Sequence, residues 1–411
     1  MLDLVLKGAH LATCDGAGSA AEQLDRRPDA AVGVEGGRVV WIGPSAEAPA
    51  AREVRELEGA ALLPGLVDPH THLVFAGSRV EEFTRRMGGE DYRTIAAEGG
   101  GIASTVRATR AASEEQLFAL AKARAEALRA RGVTSVEVKS GYGLTTESEL
   151  RLLRVARRLE AEGVLRVTTS FLGAHAVPPE KRGERARYVD EVVGEQLPAV
   201  AEAGLADAVD VYCDDGAFTL EETRRILEAA KARGLKVRAH VGQFADLGGP
   251  ALLAELGGLS GDHLEAIDEA GLSAMAEAGV VAVLLPGAWR TLRQEAPRAE
   301  RFRAAGVPMA VGTDLNPGTS PTTDLPLCAA LAVRDAGMTV EEALLGVTRV
   351  AARAAGFEEG VGRVRVGGPA DLAAFPVQDP RALPYALGGL GASLVVRAGA
   401  IVAEGPPAPV F

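Results

Sequence analysis

The sequence predicts an α/β fold in which a (β/α)8 TIM-like barrel carries a small β-sandwich domain built from the N- and C-terminal segments. Three observations predict it. The chain has 411 residues, which exceeds one ordinary core but suits a large barrel with an appended domain. Eight short apolar runs alternate with helical segments, and β-type runs with glycine turns lie near both ends of the chain.

The composition indicates a globular protein with a well-buried core. Hydrophobic residues make up 47% of the chain and charged residues 24%, which argues against disorder. The formal net charge is −12 and the basic residues are scattered along helical faces, so a polyanion-binding surface is not expected. Nucleic acid is therefore not an expected partner.

Neither a membrane span nor secretion is expected. The first ten residues contain Asp3 and Lys7 and lack a long apolar core, so they do not resemble a signal peptide. No apolar run reaches the roughly 18 residues of a membrane span. The cysteines lie far apart without a CxxC pair, which is typical of reduced, structural thiols in a cytoplasmic protein; they are Cys14, Cys213 and Cys328.

The β-sandwich is predicted from runs at both termini. Near the N-terminus, "LDLVLKGAHLATC" and "DAAVGVEGGRVVWIG" have β character, and Gly36-Gly37 splits the second run as a hairpin turn would. Near the C-terminus, "ADLAAFPV" and "ASLVVRAGAIVAEG" alternate with glycine turns. Neither end supplies enough strands for a stable sheet alone. We therefore expect one composite domain of residues 1–61 and 364–411 rather than two independent β appendages.

The barrel is predicted for residues 62–363, where short apolar runs alternate with helices. Ser113 with Gln116 and Thr219 with Glu222 predict two of the helix starts. A closed barrel is favoured over an open doubly wound sheet, because no glycine-rich phosphate loop follows the first strand. The eight candidate strands are "LLPGLV", "VTSVEV", "LRVTTSFL", "DAVDVY", "LKVRA", "GLSGD", "VVAVLLP" and "VPMAVGT".

Five of the six histidines follow predicted strands at the same end of the barrel. His10 is the exception, because it lies in the N-terminal β segment and is expected to be incidental. In such barrels the functional residues lie on the loops after the C-terminal ends of the strands. We therefore expect a shared site at one barrel mouth, formed by His70, His72, His175, His240 and His263.

His70 and His72 are the first candidate metal ligands. Side chains at i and i+2 of a strand point to the same face, so these imidazoles can bind one ion, although two surface histidines would also fit the pattern. His240 and Asp314 would complete three nitrogens and one carboxylate, a set that suits a divalent or trivalent transition metal. Asp68 shares the parity of the pair, and it could orient an imidazole or cap a turn.

One metal ion is expected rather than two. A bridged two-metal site would need an additional ligand on a neighbouring strand, commonly a lysine modified to a carbamate. The fourth predicted strand continues into "VYCDDGAF", which contains no lysine. Lys139 ends the second strand and is expected to be a paired or solvated lysine.

Several motifs, in this order, resemble those of the amidohydrolase superfamily, and more closely those of its imidazolonepropionase family. The resemblance runs from about Asp68 to Gly368, with weaker likeness in the flanking β segments. The HxH pair and the late aspartate are shared by the superfamily, whereas "SGYG", "GAHAVPP" and "NPGTSP" are more specific. The motifs are "PGLVDPHTHLVFAGSR", "EGGGIASTV", "VKSGYGL", "GAHAVPPE", "DHLE", "VAVLLPG" and "TDLNPGTSP".

The resemblance implies a metal-dependent hydrolase with one Zn²⁺ or Fe³⁺ per chain, assembled as a homodimer. The ligand set is compatible with either metal. By motif, the metal ligands would be His70, His72, His240 and Asp314. The residues that would contact the imidazolone propanoate substrate are Arg79, Tyr142, His175, Gln243 and Thr319, and those that would contact the product are Tyr142, Asn316 and Gly318.

The implied reaction belongs to histidine degradation. The cyclic C–N bond of 4-imidazolone-5-propanoate would be hydrolysed to N-formimidoyl-L-glutamate by attack of a metal-bound hydroxide. Asp314 would accept a proton, and His263 would hydrogen-bond the developing oxyanion or help the proton reach the leaving nitrogen.

The sequence departs from the superfamily pattern at Gln243. Many relatives carry a proton-shuttling glutamate there, although some members of the closer family carry glutamine. A neutral amide cannot act as a general acid or base, but it can hydrogen-bond the imidazolone ring.

The residue types agree with the implied substrate contacts in part. Arg79 could hold a propanoate carboxylate with a bidentate fork, or form an ordinary surface salt bridge. Gly141 and Gly143 would let a loop bring Tyr142 into the mouth, or form a flexible turn. The turn at residues 316–318 could contact a polar ligand, or be explained by turn chemistry alone.

Two other functions stay open at this point. A deaminase of the same superfamily, acting on a nucleobase-like heterocycle, is disfavoured by Gln243, because such enzymes generally need the carboxylate. A non-catalytic barrel scaffold is disfavoured because it would predict broken ligands, whereas all four candidate ligands are present.

Overall fold

Two β-sheets organise the chain, and a computed structural model describes them over residues 1–90, 100–388 and 390–405. The strands, in chain order, are β1 (Leu2–Ala12), β2 (Arg26–Glu35), β3 (Arg38–Pro44), β4 (Ala51–Glu56), β5 (Ala61–Pro64), β6 (Leu66–Thr71), β7 (Val133–Lys139), β8 (Arg166–Ala174), β9 (Ala208–Cys213), β10 (Lys236–Val241), β11 (Ser260–His263), β12 (Val281–Leu284), β13 (Met309–Val311), β14 (Leu372–Phe375), β15 (Leu394–Arg397) and β16 (Ala400–Glu404).

Helices connect the strands. In the described part of the chain they are α1 (Ala20–Leu24), α2 (Val80–Met87), α3 (Ile102–Ala111), α4 (Glu114–Ala130), α5 (Thr146–Ala161), α6 (Arg185–Glu191), α7 (Leu197–Glu202), α8 (Leu220–Lys231), α9 (Gly249–Glu255), α10 (Glu269–Ala278), α11 (Pro286–Leu292), α12 (Ala299–Ala305), α13 (Leu325–Leu331), α14 (Val340–Gly346), α15 (Arg349–Ala355) and α16 (Ala382–Tyr385). Short 3-10 turns span Ser45–Glu47 and Pro179–Lys181, and π-helical turns span Val192–Gln196 and Ala332–Ala336.

Strands β6 to β13 form the predicted barrel. Neighbouring strands follow chain order, and every neighbouring pair is parallel. Strands such as β7 and β12 are buried along their whole length; β12 is a continuous apolar run, as is typical of such strands, whereas β7 also buries polar and charged side chains. A parallel bridge between Thr71 and Leu315 brings the chain after the last strand beside the first. The predicted barrel is confirmed and is nearly closed.

The first predicted strand differs from the structure in one respect. The run "LLPGLV" is divided at Gly65, so that Ala61–Pro64 belongs to the terminal sheet and Leu66–Thr71 to the barrel. A Cβ atom at Gly65 would lie 2.2 Å from Oγ1 of Thr134, so glycine fits where the chain passes between the two sheets and a larger residue does not. The division places His70 on β6.

Strands from both ends of the chain form one sheet, as predicted. Its order is β16-β15-β14-β5-β1-β2-β3, with β4 pairing with β1. Strand β5 joins the two ends, because it pairs in parallel with β1 and antiparallel with β14. Side chains from both ends pack in one apolar cluster that includes Leu6, Val32, Leu62, Leu372 and Val396. The sheet resembles a small sandwich, and the domain boundaries at residues 61–62 and 363–364 stay a prediction.

The two predicted helix starts are capping boxes. The hydroxyl of Ser113 accepts a hydrogen bond from Gln116 N ahead of α4, and that of Thr219 accepts one from Glu222 N ahead of α8. In return, the side chains of Gln116 and Glu222 accept hydrogen bonds from the backbone N–H of the capping residues. Each box therefore satisfies two backbone donors at a helix start.

An ion pair connects the barrel to the terminal sheet. Arg166, at the start of β8, donates through Nε and Nη2 to Oδ2 of Asp371, at 3.0 and 2.9 Å. The other carboxylate oxygen of Asp371 accepts a hydrogen bond from Ala398 N at 2.7 Å. Because Asp371 is buried and Ala398 lies between β15 and β16, this carboxylate ties both C-terminal strands to the barrel.

The three cysteines are free and buried, and their structural role stays a prediction. Burial raises the pKa of the Cys14 thiol to about 12, so this thiol stays protonated at neutral pH. Within the described ranges, no helix combines the length and the apolarity that crossing a bilayer would need.

Candidate metal centre and its cavity

Three imidazoles converge at the C-terminal rim of the barrel. Each of His70, His72 and His240 offers one nitrogen, and these atoms lie within 4.8 Å of one another. Nε2 of His240 lies 3.4 Å from Nε2 of His72. Oδ1 of Asp314 lies 3.4 Å from Nε2 of His70 and 3.5 Å from Nε2 of His72. All four residues are buried.

Strand geometry explains this convergence. His70 and His72 are two residues apart at the end of β6, so their side chains share the face that points into the barrel. Asp314 follows β13 in a left-handed conformation with φ of 52°. Its backbone N–H donates to the carbonyl of His70 at 3.0 Å, and that of His72 donates to the carbonyl of Leu315 at 3.0 Å. The first and last strands are thus held in register where the four side chains meet.

The donor set fits a transition metal ion. Nε2 of His70 is buried and, among the described residues, has no hydrogen-bond partner. Burial lowers the pKa of His70 and of His72 well below the ordinary value, so both rings are neutral and keep a lone pair for an ion. Three imidazoles and one carboxylate are a ligand set that zinc and iron both accept. The predicted ligands therefore meet in space, and their role stays a prediction.

Two carboxylates fix the outer nitrogens of two of these imidazoles. Nδ1 of His70 lies 2.6 Å from Oδ2 of Asp262, and Nδ1 of His240 lies 2.9 Å from Oδ1 of Asp210. A neutral ring that donates from Nδ1 presents its Nε2 lone pair, so these contacts select the tautomer that an ion at the rim requires. Neither aspartate was identified from the sequence, although each is a carboxylate inside a buried barrel strand.

Asp68 contacts no imidazole in the described structure. Its carboxylate accepts hydrogen bonds from the backbone N and the hydroxyl of Thr313, at 3.0 and 2.5 Å, and from His70 N at 3.5 Å. Burial raises the pKa of Asp68 to about 7 in spite of these bonds. Of the two alternatives open from the sequence, holding the backbone is the one that agrees with this geometry.

Lys139 is a paired lysine, one of the two alternatives expected from the sequence. Its Nζ lies 2.7 Å from Oδ2 of Asp210, 3.1 Å from Oε1 of Glu137 and 3.4 Å from Oδ2 of Asp262. Burial alone would lower its pKa, but the three carboxylates outweigh it and raise the pKa above the ordinary value. The ammonium is therefore charged.

A cavity of about 850 Å³ opens above the histidine cluster. His263, whose ring centroid lies 5.5 Å from that of His240, lines it, whereas His70 is not among its lining residues. The other predicted site residues all line the cavity: His72, Arg79, Tyr142, His175, His240, Gln243, Asp314, Asn316, Gly318 and Thr319. His10 lies in β1, where it pairs with Ala61.

Glu149 organises the loop that carries Tyr142. Its buried carboxylate accepts hydrogen bonds from the backbone N–H groups of Gly141, Gly143 and Leu144, at 2.9, 2.8 and 2.6 Å. Burial raises the pKa of Glu149. The loop is therefore held by three specific bonds and is not the flexible turn that was the alternative from the sequence.

His175 packs between this loop and the metal centre. Its ring stacks on that of His72 with centroids 5.1 Å apart, and its Nδ1 lies 3.0 Å from the carbonyl of Gly141. Burial lowers the pKa of His175 to about 3, so the ring is neutral. Since Nδ1 then donates to Gly141, Nε2 is left as an acceptor.

Gln243 is oriented by two neighbours. Its Oε1 accepts a hydrogen bond from the hydroxyl of Tyr212 at 2.7 Å, which leaves its NH₂ group as the donor for a ligand. The carboxylate of Asp214 accepts hydrogen bonds from the backbone N–H of Gln243, Phe244 and Ala245, at 2.6, 3.1 and 3.0 Å. The loop after β10 is thus held by a residue that follows β9.

Arg79 and the turn after Asp314 pack against each other. The Nε of Arg79 donates to Glu82 at 2.8 Å, and the side chain is 11% exposed, so this is not an ordinary surface pair. A Cβ atom at Gly318 would lie 2.4 Å from Nη1 of Arg79, so glycine makes room for the guanidinium. Oδ1 of Asn316 accepts hydrogen bonds from the backbone N–H of Gly318 and Thr319, both at 2.8 Å.

The motif "EGGGIASTV" begins outside the described residues, since Glu98 and Gly99 lie there. Its remainder leads into α3 and contacts Glu82. Gly101 N and the hydroxyl of Ser104 donate to Glu82 at 3.0 and 2.8 Å. Glu82 therefore connects Arg79 to the start of α3.

The sequence pattern of the amidohydrolase family matches residues 61–398 of this chain. An imidazolonepropionase of Methylobacterium nodulans is 52% identical over 363 residues, which cover 88% of this chain and 90% of that protein. An imidazolonepropionase of Polaromonas sp. is 49% identical over 401 residues, which cover 96% of this chain and 94% of that protein.

Solved structures share the fold at lower identity. An adenosine deaminase from Xanthomonas campestris with bound zinc superposes with a TM-score of 0.71 and 21% identity, covering 97% of this chain and 92% of that chain. A 5-methylcytosine deaminase from Klebsiella pneumoniae superposes with a TM-score of 0.71 and 16% identity, covering 99% of each chain. At such identities the likeness establishes the common fold alone.

Replacing Glu149 with Gln should loosen the loop that carries Tyr142. An amide has one acceptor oxygen where the carboxylate has two, so at least one of the three backbone donors loses its partner. We expect the amides of residues 141–144 to exchange with deuterium about tenfold faster or more. Hydrogen exchange followed by mass spectrometry measures this. Glu147→Gln, on an exposed position of the same helix, is the control. Equal exchange rates for the amides of residues 141–144 in the two variants would contradict the proposed role of Glu149 in holding this loop.

Proposed function

This chain belongs to the amidohydrolase family, and on that basis we propose that it hydrolyses the cyclic C–N bond of 4-imidazolone-5-propanoate to N-formimidoyl-L-glutamate, the imidazolonepropionase reaction of histidine degradation. The observation that carries the proposal is the likeness to imidazolonepropionases at about half identity over nearly the whole of both chains. The chain is therefore a hydrolase that acts on a C–N bond.

The metal would be held by His70, His72, His240 and Asp314. Oδ1 of Asp314 lies 3.4 Å from Nε2 of His70 and 3.5 Å from Nε2 of His72, and Nε2 of His240 lies 3.4 Å from Nε2 of His72. The buried Nε2 of His70, which has no hydrogen-bond partner among the described residues, supports this assignment. When bound, a zinc or iron ion would supply Lewis acidity, which makes water more acidic and polarises a carbonyl oxygen. We propose one ion per chain, since Lys139 is occupied by three carboxylates and offers no bridging ligand.

Charge and hydrogen bonding would orient the substrate. Arg79 uses Nε and Nη2 toward Glu82 but keeps further N–H donors for the propanoate carboxylate. The NH₂ group of Gln243 suits an acceptor on the imidazolone ring, because Tyr212 occupies the Oε1 atom. The neutral His175 offers Nε2 as an acceptor for a ring N–H.

Asp314 and His263 would handle the proton. As the oxygen of water bonds to the ring carbonyl carbon, Asp314 accepts a proton from that water. His263 donates a hydrogen bond to the carbonyl oxygen as it becomes an oxyanion. The ring C–N bond then breaks, and the nitrogen takes up the proton that Asp314 accepted. The oxygen and one hydrogen of the water thus end in a new carboxyl group, which then ionises, and the other hydrogen ends on the released nitrogen.

Of the remaining proposals, the homodimer rests on the family resemblance, and the location and the excluded partners rest on the charge, the apolar runs and the scattered cysteines. We propose a cytoplasmic homodimer that acts on a small molecule, without a nucleic acid or membrane partner. The deaminase alternative is supported by fold likeness alone, since the deaminase structures are no more than 21% identical to this chain. Gln243 argues against it, because an amide cannot shuttle protons.

The activity is tested by adding freshly prepared imidazolone propanoate and following the loss of its ultraviolet absorbance. Metal-loaded protein should remove the absorbance and give a product heavier by one water, without release of ammonia. Metal-stripped protein should be inactive and should recover when zinc or iron is returned. Metal-dependent ammonia release from a nucleobase panel, with no loss of the imidazolone, would instead identify a deaminase.

Replacing Arg79 with Met should weaken use of the propanoate substrate. Loss of a charge-assisted hydrogen bond is expected to lower kcat/KM about 10- to 100-fold. The propionamide analogue, which lacks the carboxylate charge, should be affected much less. The control is Arg85→Met, since Arg85 pairs with Glu90 and is not a lining residue. Steady-state kinetics on both compounds measures this. An equal loss of kcat/KM on both compounds would show that Arg79 does not bind the carboxylate.

A further inference from the structure

A cluster of five charged side chains lies within the barrel, behind the metal centre. Three carboxylates and two cations make up this buried charge cluster, and each side chain is no more than 1% exposed. The members lie on four different barrel strands, β7, β9, β10 and β11. They are Glu137, Lys139, Asp210, Arg238 and Asp262.

Burying such a cluster costs free energy of folding. Several charges removed from water lose their hydration, and the mutual attraction of the group often does no more than offset that loss. Apolar side chains of similar volume would fill the same space at lower cost. Because the cluster lies against two histidines of the metal centre, its position indicates a functional role.

Lys139 lies at the centre of the cluster. Its ammonium is 2.7 Å from Oδ2 of Asp210 and 3.4 Å from Oδ2 of Asp262. The same two carboxylates accept hydrogen bonds from the outer nitrogens of His240 and His70. One cation is thus connected through two carboxylates to two of the three imidazoles.

The other members of the cluster are connected differently. Glu137 contacts Lys139 at 3.1 Å and Arg238 at 3.6 Å, and no contact joins it to an imidazole in the described structure. Arg238 donates to the carbonyl of Ala355 at 3.0 Å. Nδ1 of His72 has no hydrogen-bond partner within the described residues. The carboxylates of the cluster therefore act on the rings of His70 and His240, and not on that of His72.

We propose that Lys139 is a positioning residue that aligns His70 and His240 for metal binding by holding Asp262 and Asp210 in place. Without the ammonium, two neighbouring carboxylates repel each other and turn away from the imidazoles, so the Nε2 lone pairs lose their common direction. The inference deepens the proposed function, because it rests on the metal-binding role of the site. It does not depend on the identity of the substrate.

The first test compares two variants that each remove one buried cation. Lys139→Met should weaken zinc binding by about 10- to 100-fold, the usual effect of losing the partner that orients a ligand. Arg238→Met is the matched control, because Arg238 is equally buried and, among the described residues, forms an ion pair with Glu137 but with neither Asp262 nor Asp210, its neighbour on the adjacent strand. It should change zinc affinity by less than about threefold. Competition with a chromogenic chelator measures the affinity of each folded variant.

A second variant keeps the test valid if Lys139→Met does not fold. Lys139→Met combined with Glu137→Gln removes the ammonium together with the carboxylate that contacts no imidazole, so the net charge of the cluster is preserved. Positioning by Lys139 predicts that this double variant still binds zinc about tenfold or more weakly than the wild type. A smaller loss would mean that Lys139 only balances charge, and it would overturn the inference.

A spectroscopic readout separates positioning from simple support of the fold. In the zinc-loaded double variant, nitrogen and proton NMR of the histidine rings should show altered Nδ1–H signals for His70 and His240. The signals of His175, which is held by Gly141, should be unchanged. Unaltered His70 and His240 signals would also overturn the inference. If the variants show the expected zinc affinities but the wild-type protein does not hydrolyse the imidazolone, the proposed function is wrong and the positioning role of Lys139 still holds.

Discussion

The hydrogen bonds between the end of the first barrel strand and the segment after the last one determine where the metal ligands meet. Asp314 N donates to the carbonyl of His70, and His72 N donates to the carbonyl of Leu315, both at 3.0 Å. These bonds hold the residue after the last strand beside the end of the first. A displacement of one residue in this register would turn His70 and His72 to the other face, since side chains alternate along a strand. The convergence of the imidazoles and Asp314 therefore depends on a backbone interaction.

Buried acceptors hold the loops around the cavity in the same way. Glu149 binds three backbone N–H groups of the loop that carries Tyr142, and Asp214 binds those of residues 243–245. Asn316 binds the turn that faces Arg79. A loop needs such partners because its backbone donors have no strand or helix to pair with. The rigid mouth that results lets a few side chains keep their orientation before a ligand arrives.

Local patterns made the fold predictable, while contacts between distant segments did not. Apolar runs identified all eight barrel strands, and side-chain parity placed His70 and His72 on one face. Asp262 contacts His70 across 192 positions of the sequence, and Asp210 contacts His240 across 30. A single aspartate in a barrel strand has no local sequence feature that distinguishes a partner for a histidine ring from a cap for backbone N–H groups. The division of the first strand at Gly65 was missed for a similar reason, since it depends on the approach of Thr134.

We propose that one ion binds where His70, His72, His240 and Asp314 converge. The most direct measurement is X-ray diffraction from crystals of the purified protein at the zinc and iron absorption edges. We expect a single anomalous peak per chain, within bonding distance of three Nε2 atoms and the Asp314 carboxylate. A second peak beside Lys139, or a metal-loaded crystal whose peak lies away from these four residues, would contradict it.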